Sequence, residues 1–277
     1  MGLEILEKIN DIPEGLSLTD KFLKSNYNIA KVITNGHTGY VKLDDNNKKE
    51  IISKNMKTRF EPIIPYKNIE RWNCMIYGAS GKGKTVIAGE FAKQFHHLTG
   101  GNVYYICSTP IQDDRTFSQL TDFVKQMDVH QFYNDKMTKD EQREMIKGLF
   151  SNSLTIFDDN DMATDAKAIT AFRNIIIEVG RKYGANTLFI SHKNCDGNNT
   201  KMLLKELHLY ICFKNGLSAN RLLTEYYSFD KDYLKDIKKN TKSWVCFNFQ
   251  YDKVITPWII KNFDIDKDDE KDDEKGE

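Results

Sequence analysis

Two patterns of apolar residues divide the chain. From Arg71 onward, short apolar runs bounded by polar or glycine-containing turns alternate with stretches whose apolar residues recur every three or four positions. The short runs predict strands at Trp72–Tyr77, Val103–Ser108, Leu154–Asp158, Thr187–Ser191, Leu209–Phe213 and Trp244–Phe249, with Val254–Ile259 as a final hairpin partner. The longer period predicts helices at Lys84–Leu98, Thr116–Gln126, Lys139–Leu149, Asp161–Tyr183, Lys201–Glu206, Ser218–Leu223 and Lys231–Lys239. Asp161–Tyr183 gives the clearest stripe, through Met162, Ala166, Ile169, Phe172, Ile176, Val179 and Tyr183. Gly100-Gly101 supplies a stop for the first helix. Strands that alternate with helices imply an α/β fold with a mostly parallel central sheet flanked by helices.

Residues 1–65 depart from this rhythm. They are rich in Lys, Asn and Asp, carry only short apolar runs such as Ile29–Ile33, and end at Pro62 and Pro65. They read as a small, partly flexible N-terminal appendage before a main domain at 66–263. Residues 264–277 hold nine acidic residues and three lysines and read as a disordered acidic tail. The net charge of zero therefore conceals a body with six surplus positive charges, compatible with a polyanionic partner or with an ordinary surface.

The 277 residues suit one large domain, or one domain with an appendage. No run of about 18 apolar residues is available to span a membrane, and the first residues lack the order of a secretory signal. The five cysteines are scattered, without C-x-x-C spacing, which points to a reducing compartment and away from a disulfide framework or zinc site.

The chemistry begins at Gly78-Ala79-Ser80-Gly81-Lys82-Gly83-Lys84-Thr85, which fits the phosphate-loop pattern G-x-x-x-x-G-K-[ST]. It follows a predicted strand and opens a predicted helix, the setting the motif requires. Glycines let successive N–H groups face a polyphosphate, and the helix start adds its positive end. Lys84 supplies a charge for the β- and γ-phosphates of ATP, and the Thr85 hydroxyl can ligate Mg²⁺. The apolar strand Leu154–Asp158 then ends in two carboxylates. Asp158 fits the Walker B role of holding Mg²⁺, and Asp159 stands where a general base would activate water, while Asp161 is placed to cap the next helix. A third strand ends in Ser191-His192, either of which can serve as a polar sensor of the γ-phosphate. Of Arg115, Arg143, Arg173, Arg181 and Arg221, Arg181 stands out by its place just before that strand, as a guanidinium for the transition state.

The segment Gly180-Arg-Lys-Tyr-Gly-Ala-Asn-Thr-Leu-Phe-Ile-Ser-His192 resembles the corresponding stretch of the FtsK–HerA superfamily of DNA-pumping ATPases. The shortness of the chain, Phe157-Asp158-Asp159 and the order of elements after His192 resemble its viral branch, the genome-packaging ATPases of poxvirus-like large DNA viruses and virophages. The resemblance covers roughly residues 70–260. It implies a phosphate-loop NTPase of the additional-strand (RecA-like) type. It implies a hexameric or pentameric ring that hydrolyses ATP at subunit interfaces, threads double-stranded DNA into a preformed capsid and meets capsid or portal-region proteins, in host cytoplasm or virion. Carried over, Asp159 is the general base, Arg181 an arginine finger for a neighbouring subunit and His192 the sensor. The sensor is commonly Gln in the superfamily, and cellular members often carry Glu at the position of Asp159.

Other readings of a phosphate loop remain. A nucleoside or small-molecule kinase would lack a use for paired Asp158-Asp159 and would want an Arg-rich lid. A guanine-nucleotide switch would want N-K-x-D, and Thr138-Lys-Asp-Glu141 has the wrong spacing. A conjugation or segregation pump, or a helicase, of the same superfamily is a further alternative.

Overall fold

The computed structural model describes residues 17–19, 28–34, 37–42, 51–52, 58–64, 71–158, 165–193, 198–217 and 221–263. The expected disordered tail, Asp159 and the capping Asp161 lie outside these residues.

Five strands precede the phosphate loop's own strand: β1 (Ser17–Thr19), β2 (Asn28–Thr34), β3 (His37–Lys42), β4 (Ile51–Ile52) and β5 (Thr58–Pro62). Four of them form an antiparallel sheet in the order β1-β3-β2-β5. Alternation explains how so polar a segment makes a sheet. Ala30, Val32 and Val41 are buried, while Lys31 between them pairs with Glu61 at 3.3 Å on the wetter face.

The main sheet has ten strands. Six are parallel: β6 (Asn73–Tyr77), β7 (Val103–Cys107), β8 (Val124–Gln126), β9 (Leu154–Asp158), β10 (Asn186–Ser191) and β11 (Leu209–Phe213). Their spatial order is β8-β7-β9-β10-β6-β11. Four antiparallel strands extend the β11 edge: β12 (Trp244–Asn248), β13 (Lys253–Ile255), β14 (Ile259–Asn262) and finally β4 from the N-terminal segment.

The inner parallel strands are mostly apolar because both faces are covered, whereas the edge strand β8 exposes Lys125 and Gln126. Cys74 and Ile76 of β6 point to one core with Phe91 and Phe95 of α1 (Lys84–Thr99) and the N-terminal sheet. Met75 points to the other core, with α2 (Lys139–Leu149) and α3 (Ala166–Val179). That second face also takes Leu203 and Leu204 of α4 (Asn198–Lys205), Leu217 of α5 (Lys214–Leu217) and Ile237 of α6 (Lys231–Asn240). Thr138 and Glu141 form the capping box that starts α2. Gly100, at φ 65°, stops α1 as its sequence predicted. The buried Arg71 guanidinium donates to the carbonyls of Ile176 and Ile177 at the end of α3 and pairs with Glu206 at 2.9 Å. It satisfies helix-end acceptors that burial would otherwise leave bare.

Four predicted elements come out differently. Thr116–Gln126 is not a helix but a 3₁₀ turn, Phe117–Leu120, followed by strand β8. Phe117, Leu120 and Val124 do have helical spacing. However, the Asp114 carboxylate accepts the Thr116 and Phe117 amides, and β7 offers Val124–Gln126 a parallel ladder. Within Val254–Ile259, Thr256 and Pro257 make a turn in which the Thr256 hydroxyl accepts the amides of Trp258 and Ile259. One predicted strand thus becomes two short ones. The long predicted helix is described as α3 and a terminal 3₁₀ turn, Gly180–Tyr183, with 161–164 outside the described residues. Ser218–Leu223 is replaced by α5 and a π-helical turn, Leu222–Tyr226, with 218–220 outside the described residues.

Candidate nucleotide site

Parallel strands deliver their C-terminal ends to one edge of the sheet, and three neighbours bring the predicted chemistry there. β6 runs into Gly78–Gly83, β9 ends at Asp158, and β10, lying between them, ends at Ser191 just before His192. The Gly78 amide donates to the Ser191 carbonyl at 3.3 Å, which ties the loop's start to β10.

The loop's shape follows from its glycines. Gly81 and Gly83 have φ of 72° and 95°, a left-handed backbone that only glycine adopts without strain. Ala79, Ser80, Gly81 and Lys82 are exposed and Thr85 is half-buried at the first turn of α1. Gly83 caps α1 without any side-chain acceptor, so the first amides of that helix remain directed at a ligand.

Lys84 is the first helical residue and is buried at 6% exposure. Its Nζ donates to the Ala79 carbonyl at 3.2 Å, across the loop. It also lies 3.4 Å from each ring nitrogen of His192. Of the two sensor candidates, Ser191 spends its hydroxyl on the Lys193 backbone, donating to the carbonyl at 2.8 Å and accepting the amide at 3.0 Å. His192 is the one that meets the loop lysine.

Asp158 is buried at 5% exposure, and the Tyr105 hydroxyl donates to its Oδ2 at 3.1 Å. Burial, then the Asp158 charge, push the Tyr105 phenol well above its ordinary 10.0. The phenol therefore stays a donor at every working pH. Tyr105 is stacked on Phe117 at 4.2 Å, which fixes its ring. Sequence reasoning missed this residue. Its only signal was a tyrosine inside a buried strand, which needs a partner for its hydroxyl.

The donor set fits Mg²⁺ held with a triphosphate. Mg²⁺ characteristically takes one or two protein oxygens, waters and phosphate oxygens, and Thr85 and Asp158 offer one hydroxyl and one carboxylate. Among the described residues no group of three His, Cys, Asp or Glu forms an all-protein metal cage.

Arg181 is elsewhere. It is exposed in the 3₁₀ turn before the N-terminal end of β10, near His208. His208 is pushed below its ordinary value by burial first and then by Arg71, with Arg181 a lesser cause. The length of β10, about 17 Å at about 3.3 Å per residue, separates Arg181 from the edge that carries Lys84 and His192.

β10 inserted between the loop strand β6 and the carboxylate strand β9, with the glycine loop opening α1, defines a phosphate-loop NTPase fold of the additional-strand type. No family model matches the sequence, and no curated protein matches it. Among solved structures the chain is similar to the genome packaging NTPase B204 of Sulfolobus turreted icosahedral virus 2 in complex with AMPPCP. Identity is 12% over 68% of this chain and 98% of that one, with a TM-score of 0.45. It is also similar to the pCW3 conjugation coupling protein TcpA bound to ATPγS, at 10% identity over 94% of this chain and 79% of that one, TM-score 0.41. A KaiC-like protein of Pyrococcus horikoshii OT3 matches at 12% identity over 51% of this chain and 72% of that one, TM-score 0.35.

Proposed function

We propose that this chain binds ATP with Mg²⁺, hydrolyses it, and uses the hydrolysis to move double-stranded DNA, packaging a viral genome into a preformed capsid as one subunit of a hexameric or pentameric ring. The observation that carries the hydrolytic part is the gathering of Lys84, Asp158 and His192 at the ends of three adjacent strands. The coupling to DNA rests on the resemblance of Gly180–His192 to DNA-pumping ATPases.

In this reading the loop amides and Lys84 hold the β- and γ-phosphates, and Thr85 and Asp158 would hold Mg²⁺, which would supply positive charge against the triphosphate. Asp159 accepts a proton from the attacking water as its oxygen bonds to the γ-phosphorus. The bond to the bridging oxygen breaks, leaving ADP and phosphate. His192, already beside Lys84, donates to a γ-phosphate oxygen or orients the water. Arg181 lies at the wrong edge for its own subunit's phosphate and acts on a neighbour's.

The test is steady-state ATP hydrolysis by the full chain, with and without double-stranded DNA, across a series of low salt concentrations. DNA should stimulate hydrolysis, less so as salt rises, because phosphate contacts release counterions. Lys84→Ala and Asp159→Asn should each lower the rate by at least about a hundredfold. Hydrolysis indifferent to DNA at every salt concentration would refute the translocase reading and leave the NTPase.

A further inference from the structure

Beside the phosphate loop, on the side away from β10, lies a cavity of about 540 Å³. It shares Lys82 and Gly83 with the loop and continues along the first turns of α1 through Val86 and Ile87. Val86, in the first turn of the helix, is 57% exposed and leaves apolar surface open to the cavity. The facing wall is aromatic. Trp244 opens β12, Trp258 sits in the turn between β13 and β14, and Phe213 ends β11. Both tryptophans are only half-buried.

The remaining wall comes from the N-terminal sheet. Residues Arg59–Pro62 of β5 line the cavity, and the Phe60 amide donates to the Pro257 carbonyl at 2.8 Å, fixing β5 to the Trp258 turn. The Ile64 amide donates to Gln94 of α1 at 3.2 Å, fixing it to the helix as well. Glu61 of that wall is held by Arg59 at 3.0 Å and Lys31 at 3.3 Å. The lining thus combines aromatic and aliphatic side chains with the charged Arg59, Glu61, Lys82 and Glu90.

The geometry points to this cavity as the seat of the nucleobase of the bound triphosphate, with β5 of the N-terminal segment as part of the nucleotide site. A triphosphate on the loop places its α-phosphate at the first turn of α1, and its base hangs one ribose further on. The cavity begins at that turn. Its volume lies in the range of small-molecule sites, and a purine offers the flat π-face that tryptophan and phenylalanine rings stack upon. The inference rests on the nucleotide-binding reading above, and it assigns the N-terminal strands a part in that binding.

Calorimetric titration of the full chain with ATP and with inorganic tripolyphosphate, both with Mg²⁺, separates the two readings. Both probes need the loop, and only ATP needs the cavity. ATP should bind at least about tenfold more tightly than tripolyphosphate. Trp258→Ala should weaken ATP roughly tenfold and leave tripolyphosphate unchanged, and Trp258→Phe should recover most of the loss. Val86→Gln, at an exposed position, covers the case in which Trp258→Ala fails to fold, and should weaken ATP several-fold without affecting tripolyphosphate. Equal affinity for the two probes, or variants that shift both or neither, would overturn the cavity assignment and leave the loop standing. A wild-type chain that binds neither probe would overturn both.

Discussion

Replacing Tyr105 by Phe removes one oxygen and leaves everything else in place. The ring keeps its stack on Phe117 at 4.2 Å, and its strand keeps its ladders to β8 and β9. What disappears is the 3.1 Å hydrogen bond to Asp158 Oδ2, between groups that are 1% and 5% exposed, and with it a hydroxyl contact to the Cys107 side chain. A hydrogen bond to a charged group contributes about 1.5–3 kcal/mol, and water has little access here to replace it. Tyr105→Phe should lower unfolding free energy by about that amount, with an unchanged denaturant slope. The larger consequence is functional. Tyr105 orients the carboxylate proposed to hold Mg²⁺, and loss of such an outer partner typically costs about 10–100-fold in metal affinity or activity. The assay is the Mg²⁺ dependence of ATP hydrolysis. Half-saturation should move to higher Mg²⁺ by about 10–100-fold, while ATP binding without Mg²⁺ stays as in the wild type. A variant with wild-type Mg²⁺ half-saturation would refute the positioning argument, whatever its stability.

Mixing Arg181→Ala subunits with Lys84→Ala subunits should restore part of the hydrolysis at mixed interfaces, measured as rate against mixing ratio; no rescue in assembled rings removes the role in trans. Gly83→Ala puts a Cβ into open space at φ 95°, so the cost is backbone strain alone, about 1–2 kcal/mol; nucleotide affinity should fall roughly tenfold by titration if the loop relaxes to relieve it. Alkaline stability should decline from about pH 9 upward, read by denaturant titration at stepped pH. Burial raises Cys74 and Cys246 above their ordinary 9.0, with Cys246 adding to the shift on Cys74. Unfolded thiols then release protons that the native state keeps, and stability is full below pH 9 and lost above it, at about 1.4 kcal/mol per pH unit for each thiol. Cys246→Ala should flatten that slope.

Sequence legibility followed the range of the interactions that fix each feature. The phosphate loop was readable because its demands are local: two left-handed glycines, a lysine at the first helical position and a strand before it. Lys139–Leu149 was readable to the residue because Thr138 and Glu141 cap it from within. Leu154–Asp158 and Leu209–Phe213 were readable because buried parallel strands are apolar on both faces. By contrast β8 exists through its pairing with β7, and three residues of it carry no period of their own. The choice between Ser191 and His192 was open in the sequence and depended on a hydroxyl's bond to the next backbone group. Tyr105 on Asp158 joins residues 53 apart, and the aromatic cavity joins β5, α1, two late strands and the turn between β13 and β14, none of which a local pattern records. The N-terminal sheet was hidden by polar composition, since a half-solvated antiparallel sheet needs apolar residues only at alternate positions.

The pairing of β4 with β14 has a consequence for how the chain is made. Ile51–Ile52 finds its partner at Ile259–Ile260, about two hundred residues later. At about 5–20 residues per second a ribosome needs roughly 10–40 s to deliver that partner. During that interval the edge position of the main sheet has no strand to receive, and the isoleucine pair has no ladder to join. The order of synthesis thus makes this contact one of the last to become possible. A nascent chain stalled before Ile259 should leave the Ile51–Ile52 segment open to protease, and release of a few more residues should close it.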